Sequence, residues 1–107
     1  MNASQVIANY EVLSIMAGQM LEAATSDDWD LLIDLEQQYS ELVAITKPLD
    51  AEIMLDEAAR QRKKQLIDKI LADDAEIRNR TKAWMSQLQL SMQSNRQEQR
   101  LLQAYMA

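Results

Sequence analysis

The chain contains a single glycine, Gly18, and a single proline, Pro48, among its 107 residues. Tight turns between β-strands depend on residues that adopt positive φ angles, a role filled mainly by glycine and asparagine. A chain with so few of these residues cannot form the many hairpins of a sheet, so we predict an all-α fold. With 48% apolar residues, we expect one hydrophobic core and a single domain spanning residues 1–107.

Histidine and cysteine are both absent. Their absence excludes thiolate and imidazole zinc sites, disulfides, cysteine nucleophiles and serine–histidine–aspartate relays. One glycine also cannot supply the glycine-rich loops that bind dinucleotides and nucleoside triphosphates. Di-metal sites in helical bundles normally use Glu-x-x-His, and adjacent carboxylates on a helix point in different directions. We therefore predict a protein that is not an enzyme, with no cofactor, no metal and no catalytic residue.

Apolar residues recur at steps of three and four along the first half of the chain, which is typical of helices with one buried face. The first stretch predicts a helix over residues 4–24. The segment Thr25-Ser26-Asp27 offers a short polar turn and an N-cap, so a second helix is predicted over residues 27–46, ending there because Pro48 disfavours α geometry at the preceding residue. The short turn makes these helices an antiparallel hairpin. Four residues are predicted to lie in its core: Trp29, Leu32, Leu35 and Tyr39.

The third predicted helix is much longer than the first two. It begins between Asp50 and Asp56, and no glycine or proline interrupts its pattern over residues 56–94. At about 1.5 Å per residue it would reach about 58 Å, whereas each hairpin helix would reach about 30 Å. The hairpin therefore cannot cover the whole apolar stripe. We predict that the uncovered part is a partner-binding groove lined by Ile77, Trp84, Met85, Leu88 and Met92.

A short fourth helix is predicted at the C-terminal end. Asn95 and Glu98 resemble a capping box, which starts a helix over residues 96–106. A helix of this length is marginal by itself in water, so we expect it to dock on the groove as a removable lid. Its docking residues are predicted to be Leu101, Leu102 and Tyr105. A partner's amphipathic helix would compete for the same groove.

The two halves of the chain carry opposite charge, although the net charge is −6. Residues 1–58 hold twelve acids and one base, whereas residues 59–107 hold five acids and ten bases. Either the acidic hairpin packs beside the basic helix, or one face steers a charged partner. The net negative charge argues against a nucleic-acid binder. No apolar run approaches the roughly 20 residues that span a bilayer and no signal peptide is evident, so we expect a cytoplasmic protein without membrane insertion.

Three motifs, taken in order, resemble those of the FliT family of flagellar export chaperones. They are Trp29-Asp30-x-Leu32-x-x-Leu35-Glu36-x-x-Tyr39, then Ile70-Leu71-x-x-Asp74-x-x-Ile77-Arg78, and a closing Ala104-Tyr105. The resemblance extends over essentially the whole chain. It implies a helical bundle with a detachable C-terminal helix. It also implies a cytoplasmic chaperone that binds the C-terminal region of the filament-cap protein FliD, prevents its early assembly and delivers it to the flagellar type III export gate and ATPase complex.

Two alternatives stay open at this point. The resemblance implies that some members also bind the flagellar master regulator FlhDC and restrain transcription. In that alternative the chain is an anti-activator whose acidic hairpin mimics nucleic acid. The other alternative is a structural coiled coil, in which the long helix pairs with a second copy of the chain to give a homo-oligomer.

Overall fold

A computed structural model describes residues 2–90 and 103–104, with the side chains of residues 88–90 left out of the description. Residues 2–90 form three helices, α1 (Ala3–Thr25), α2 (Trp29–Glu52) and α3 (Glu57–Leu90). Consecutive helices run antiparallel, and α1 makes the main interhelical contacts with both α2 and α3. The described part of the chain contains no strand, so the predicted all-α bundle is confirmed.

Side-chain caps set the starts of the helices. The Asn2 carboxamide oxygen accepts a hydrogen bond from the Gln5 backbone N–H at 3.0 Å and begins α1. The Asp28 carboxylate accepts one from the Leu31 N–H at 3.3 Å and begins α2. The N-cap of α2 is therefore Asp28, just after the predicted segment Thr25-Ser26-Asp27, because Asp27 has a positive φ of 58° and completes the turn.

The predicted end of the second helix at Pro48 is wrong. The helix continues through this proline to Glu52. Proline lacks a backbone N–H, so the carbonyl of Ala44 loses its usual helical partner, yet only the last two turns of α2 are affected. This extension places Asp50 inside α2, and Asp56 caps α3 instead by accepting a hydrogen bond from the Ala59 N–H at 2.8 Å.

The hydrophobic core contains two neighbouring clusters. We call the larger one the aromatic-end cluster; its buried members are Met20, Ala23, Ala24, Trp29, Leu32, Ile33, Ile77 and Met85. The second cluster lies near the middle of the bundle and its buried members are Leu13, Ala17 and Ile70. Small residues on α1 allow its neighbours to approach closely, and all three helices contribute to the aromatic-end cluster.

The two hairpin helices are longer than predicted, with 23 residues in α1 and 24 in α2. The described part of α3 contains 34 residues, and the predicted end of this helix at residue 94 lies outside the described residues. Lys63 near the start of α3 pairs with Asp50 at the end of α2. Trp84, near the other end of α3, packs against Trp29 at the start of α2. The hairpin thus flanks α3 over most of its described length.

Candidate functional site: the groove between the second and third helices

The helix α1 makes the main contacts with both other helices. An open groove of about 370 Å³ therefore lies between α2 and α3, and Met20 of α1 also borders it. We call this the inner groove. The residues around it come from all three helices and from the C-terminal segment. Among the described residues, those that border it are Met20, Glu36, Tyr39, Ser40, Val43, Ala44, Lys47, Asp74, Arg78 and Ala104.

The floor of the inner groove is apolar. Met20 of α1 is buried there, and Val43 of α2 is half-buried against the second core cluster, which contains Leu13, Ala17 and Ile70. Tyr39 is half-buried and packs against both core clusters, so its ring joins the floor to the core. Burial raises the pKa of Tyr39, and the negative charge of Asp74 raises it further. The phenol therefore stays neutral over the physiological range and presents an uncharged surface to any bound segment.

Charged side chains of both signs border this apolar floor. Glu36 and Lys47 lie on α2, and Asp74 and Arg78 lie on α3. The Arg78 guanidinium donates to the Asp74 carboxylate at 2.8 Å, one helical turn apart. An apolar floor between balanced charged edges is suited to an amphipathic helix, whose apolar stripe faces the floor while its polar residues reach the edges.

The C-terminal segment of the chain itself reaches the inner groove. Ala104 lies beside it and is half-buried. The predicted lid residues Leu101, Leu102 and Tyr105 lie outside the described residues, so their contacts stay predictions. The described residue Ala104 itself lies beside α2 and α3.

The residues predicted to line the groove occupy different environments. Ile77 and Met85 are buried in the aromatic-end cluster, so the prediction that the hairpin leaves them uncovered is wrong. The reason is that α2 starts beside the far part of α3, where the Trp29 and Trp84 ring centroids are 4.9 Å apart. Trp84 is half-buried. The side chain of Leu88 and all of Met92 lie outside the described residues, and partner contact by any of the five stays a prediction.

The predicted core of the hairpin is confirmed. Trp29 and Leu32 are buried, and Leu35 and Tyr39 pack against the same cluster as half-buried side chains. Sequence analysis did not assign the α2 side of the inner groove, including Val43, Ala44 and Lys47, to a binding surface. Glu36, Tyr39, Ser40, Val43 and Lys47 lie on one face of α2 by helical spacing. Of these residues, only Lys47 lies beyond the predicted end of the second helix at residue 46.

Within residues 2–90 and 103–104, no helix combines the length and the apolar character that crossing a membrane requires. No three acidic side chains in that part of the chain are grouped closely enough to hold a metal ion.

Comparison with known proteins agrees with the resemblance in the sequence. The profile of the family described as "Flagellar protein FliT" matches residues 7–107. The chain is 29% identical over 99 residues to "Flagellar protein FliT" of Cronobacter sakazakii (strain ATCC BAA-894), covering 91% of this chain and 80% of that protein. The fold is similar to the crystal structure of flagellar protein FliT from Bordetella bronchiseptica, with a TM-score of 0.70, 32% identity, and coverage of 78% of this chain and 95% of that one.

Proposed function

The chain belongs to the FliT family, and from this premise we propose that it is a cytoplasmic export chaperone of the flagellar type III system. In this proposal it binds the C-terminal region of the filament-cap protein FliD, prevents premature assembly of FliD, and delivers it to the export gate and the export ATPase complex. It acts by binding and release, without catalysis.

The observation that carries this proposal is the position of Ala104 beside the inner groove. This residue of the C-terminal part of the chain borders an apolar floor that is flanked by charges of both signs. A groove that accepts one segment of its own chain also accepts a partner segment of similar character. Burial of one or two aliphatic side chains contributes only a few kcal/mol, at about 25 cal/mol per Å². A longer FliD helix would then displace the lid formed by residues 96–106.

Two neighbouring residues of α2 provide a matched test of where FliD binds. Ala44 lines the inner groove, whereas Ile45 is exposed and does not border the groove. We expect Ala44→Asp to weaken FliD binding at least tenfold in titration calorimetry, because the new carboxylate must lose its water against an apolar floor. Ile45→Asp introduces the same charge one residue away and should leave the affinity unchanged. Equal effects of both substitutions would contradict binding in the inner groove.

Deletion of residues 96–107 tests whether the proposed lid and FliD compete for the inner groove. Without the lid, FliD no longer has to displace it, so the affinity should rise. Circular dichroism of the shortened chain controls for loss of the helical fold. An unchanged or lower affinity in a folded, shortened chain would refute the lid mechanism.

The anti-activator alternative is supported by one observation. Residues 1–46 contain eight acidic residues and no lysine or arginine, which is the charge pattern expected of a mimic of nucleic acid. Adding the chain to a purified FlhDC–DNA complex separates the two functions. Release of DNA supports the alternative, whereas inertness together with tight FliD binding supports the export chaperone.

The coiled-coil alternative is tested by the mass of the particle. If the hairpin of the same chain covers the apolar residues of α3, light scattering at low protein concentration should give the mass of one chain. A stable dimer at that concentration would support pairing between copies.

A further inference from the structure

Four large aliphatic side chains of the hairpin are exposed to solvent. Val12 and Ile15 of α1 are 46% and 62% exposed, and Leu31 and Ile45 of α2 are 45% and 56% exposed. Exposed aliphatic residues are unremarkable when scattered singly, but a group of them on one face indicates an interaction site.

Helical spacing and register place them on one surface. Val12 and Ile15 belong to an exposed stripe of α1 that continues at steps of three and four, and Leu31 and Ile45 belong to a similar stripe of α2. The stripes are Val12, Ile15, Gln19 and Glu22, and Leu31, Asp34, Gln38, Glu41 and Ile45. A shallow cavity between the helices joins them, since Gln19, Glu22 and Leu31 all border it.

A hydrogen bond between the two helices defines the register at the other end of these stripes. The Asn9 amide donates to the Thr46 hydroxyl oxygen at 3.2 Å. Because α1 and α2 are antiparallel, Val12 and Ile15 lie beside the segment of α2 that carries Glu41 and Ile45. We call the two stripes together the outer hairpin face. It lies on the other side of α2 from the inner groove, which Ala44 and Lys47 border.

The charge of the outer hairpin face has only one sign. Residues 1–46 contain no lysine or arginine. Glu22 and Glu41 lie within the exposed stripes, and Glu22 and Asp28 border the shallow cavity. An anionic lipid surface or a phosphate group would be repelled here. The complementary partner has apolar residues for the aliphatic positions and cationic residues for the carboxylates.

We infer that the outer hairpin face docks a basic amphipathic helix of a protein partner. A shallow channel between two antiparallel helices accepts a third helix, as in other helix-in-groove complexes. The aliphatic residues supply affinity, and the carboxylates steer and orient the cationic helix. This inference does not depend on FliD binding, because the two surfaces share no residue.

The probe for this inference is a fluorescein-labelled 18-residue peptide of leucine and lysine in amphipathic helical order. Fluorescence anisotropy is measured with the full-length chain at fixed salt. A second peptide, with glutamate in place of every lysine, is the matched charge control. We expect the lysine peptide to bind and the glutamate peptide to bind at least tenfold more weakly. No binding of the lysine peptide, or equal binding of both, would overturn the inference.

Surface variants locate the bound peptide. The double variant Ile15→Asp with Ile45→Asp should weaken binding of the lysine peptide at least tenfold. The control is Leu71→Asp on α3, because Leu71 is 60% exposed but lies outside the outer hairpin face. The affinity of this variant for the lysine peptide should match that of the wild type. If the double variant loses helicity by circular dichroism, the single variant Ile15→Asp is used, with at least a threefold loss expected. Equal affinity of the variants and the wild type would overturn the inference.

A second copy of the chain is the competing occupant, because residues 59–107 are basic. Sedimentation equilibrium over a concentration series tests it. Wild-type dimerisation that the double variant abolishes would overturn the inference in favour of self-association. A monomeric wild type that binds the lysine peptide supports it. Failure of FliD to bind the inner groove changes none of these readouts, so the two proposals fail independently.

Discussion

The two ends of the bundle are held together by different interactions. At one end, Trp29, Leu32 and Ile77 belong to an apolar cluster from all three helices, with Trp84 packed against it. At the other end, Tyr10, Asp50 and Lys63 join the same three helices through polar contacts. The Tyr10 hydroxyl donates to the Asp50 carboxylate at 2.9 Å, and the Lys63 ammonium reaches the same oxygen at 2.6 Å.

This difference explains which end sequence analysis could describe. Apolar burial depends mainly on periodicity, so the stripe that contains Trp29 and Leu32 is visible in the sequence. A polar contact depends on the register between helices and on where each helix stops. With α2 ending before Pro48, Asp50 belongs to a loop, and nothing in the pattern pairs it with Tyr10 or Lys63. The polar end exists because α2 continues to Glu52.

The strongest test of this difference between the two ends is truncation of a side chain in the aromatic-end cluster. Leu32 has no exposed surface, so Leu32→Ala should lower the free energy of unfolding by about 2–5 kcal/mol through lost burial and the cavity left behind. The neighbouring Leu31→Ala, at a largely exposed position, should cost less than about 1 kcal/mol. Urea unfolding followed by circular dichroism measures both. Similar losses for the two variants would show that the aromatic-end cluster does not dominate stability.

The variant Pro48→Ala tests whether the polar contacts of Asp50 with Tyr10 and Lys63 depend on the proline. Proline inside a helix is about 3 kcal/mol less favourable than alanine, and its restriction of the unfolded chain offsets up to about 1 kcal/mol of this. Because Pro48 lies near the end of α2, we expect Pro48→Ala to raise the unfolding free energy by about 1–2 kcal/mol. A higher thermal midpoint would agree. A lower midpoint would show that the proline geometry is needed to bring Asp50 to Tyr10.

The smallest expected effect concerns the hydroxyl of Tyr10. Tyr10→Phe removes its hydrogen bond to Asp50 and should cost about 0.5–1.5 kcal/mol at neutral pH. The pKa of Tyr10 is raised to about 12, first by burial and then by the hydrogen bond to Asp50 and the negative charge of Asp50. The folded state therefore holds this proton more tightly than the unfolded state does.

The pH dependence of that effect follows from the sign of the shift. A raised pKa in the folded state means that the stabilisation is complete below pH 10 and is lost as the pH rises from 10 towards 12. The difference in unfolding free energy between the wild type and Tyr10→Phe should narrow over this range. Urea midpoints at pH 8, 10 and 11 measure it, and a difference that widens above pH 10 would contradict the assigned hydrogen bond.

Much of the fold and part of the candidate site could be predicted from the sequence. The helical class, the hairpin and the burial of Trp29 and Leu32 follow from spacing alone. The α3 residues chosen for the groove were less well predicted, because Ile77 and Met85 are buried by the hairpin. Periodicity identifies which side of a helix is apolar, but it does not show which neighbouring helix covers each position.

The helical class follows from the amino-acid composition, since one glycine and one proline leave no means of turning many strands. The charge asymmetry and the apolar stripes are also visible in the sequence. The packing of the helices is visible only in the folded chain, where α1 packs against both α2 and α3 while an open groove lies between those two helices, with Ala104 beside it. The reason is that composition and spacing are local properties, whereas the position of a groove depends on which faces of distant segments pack against each other.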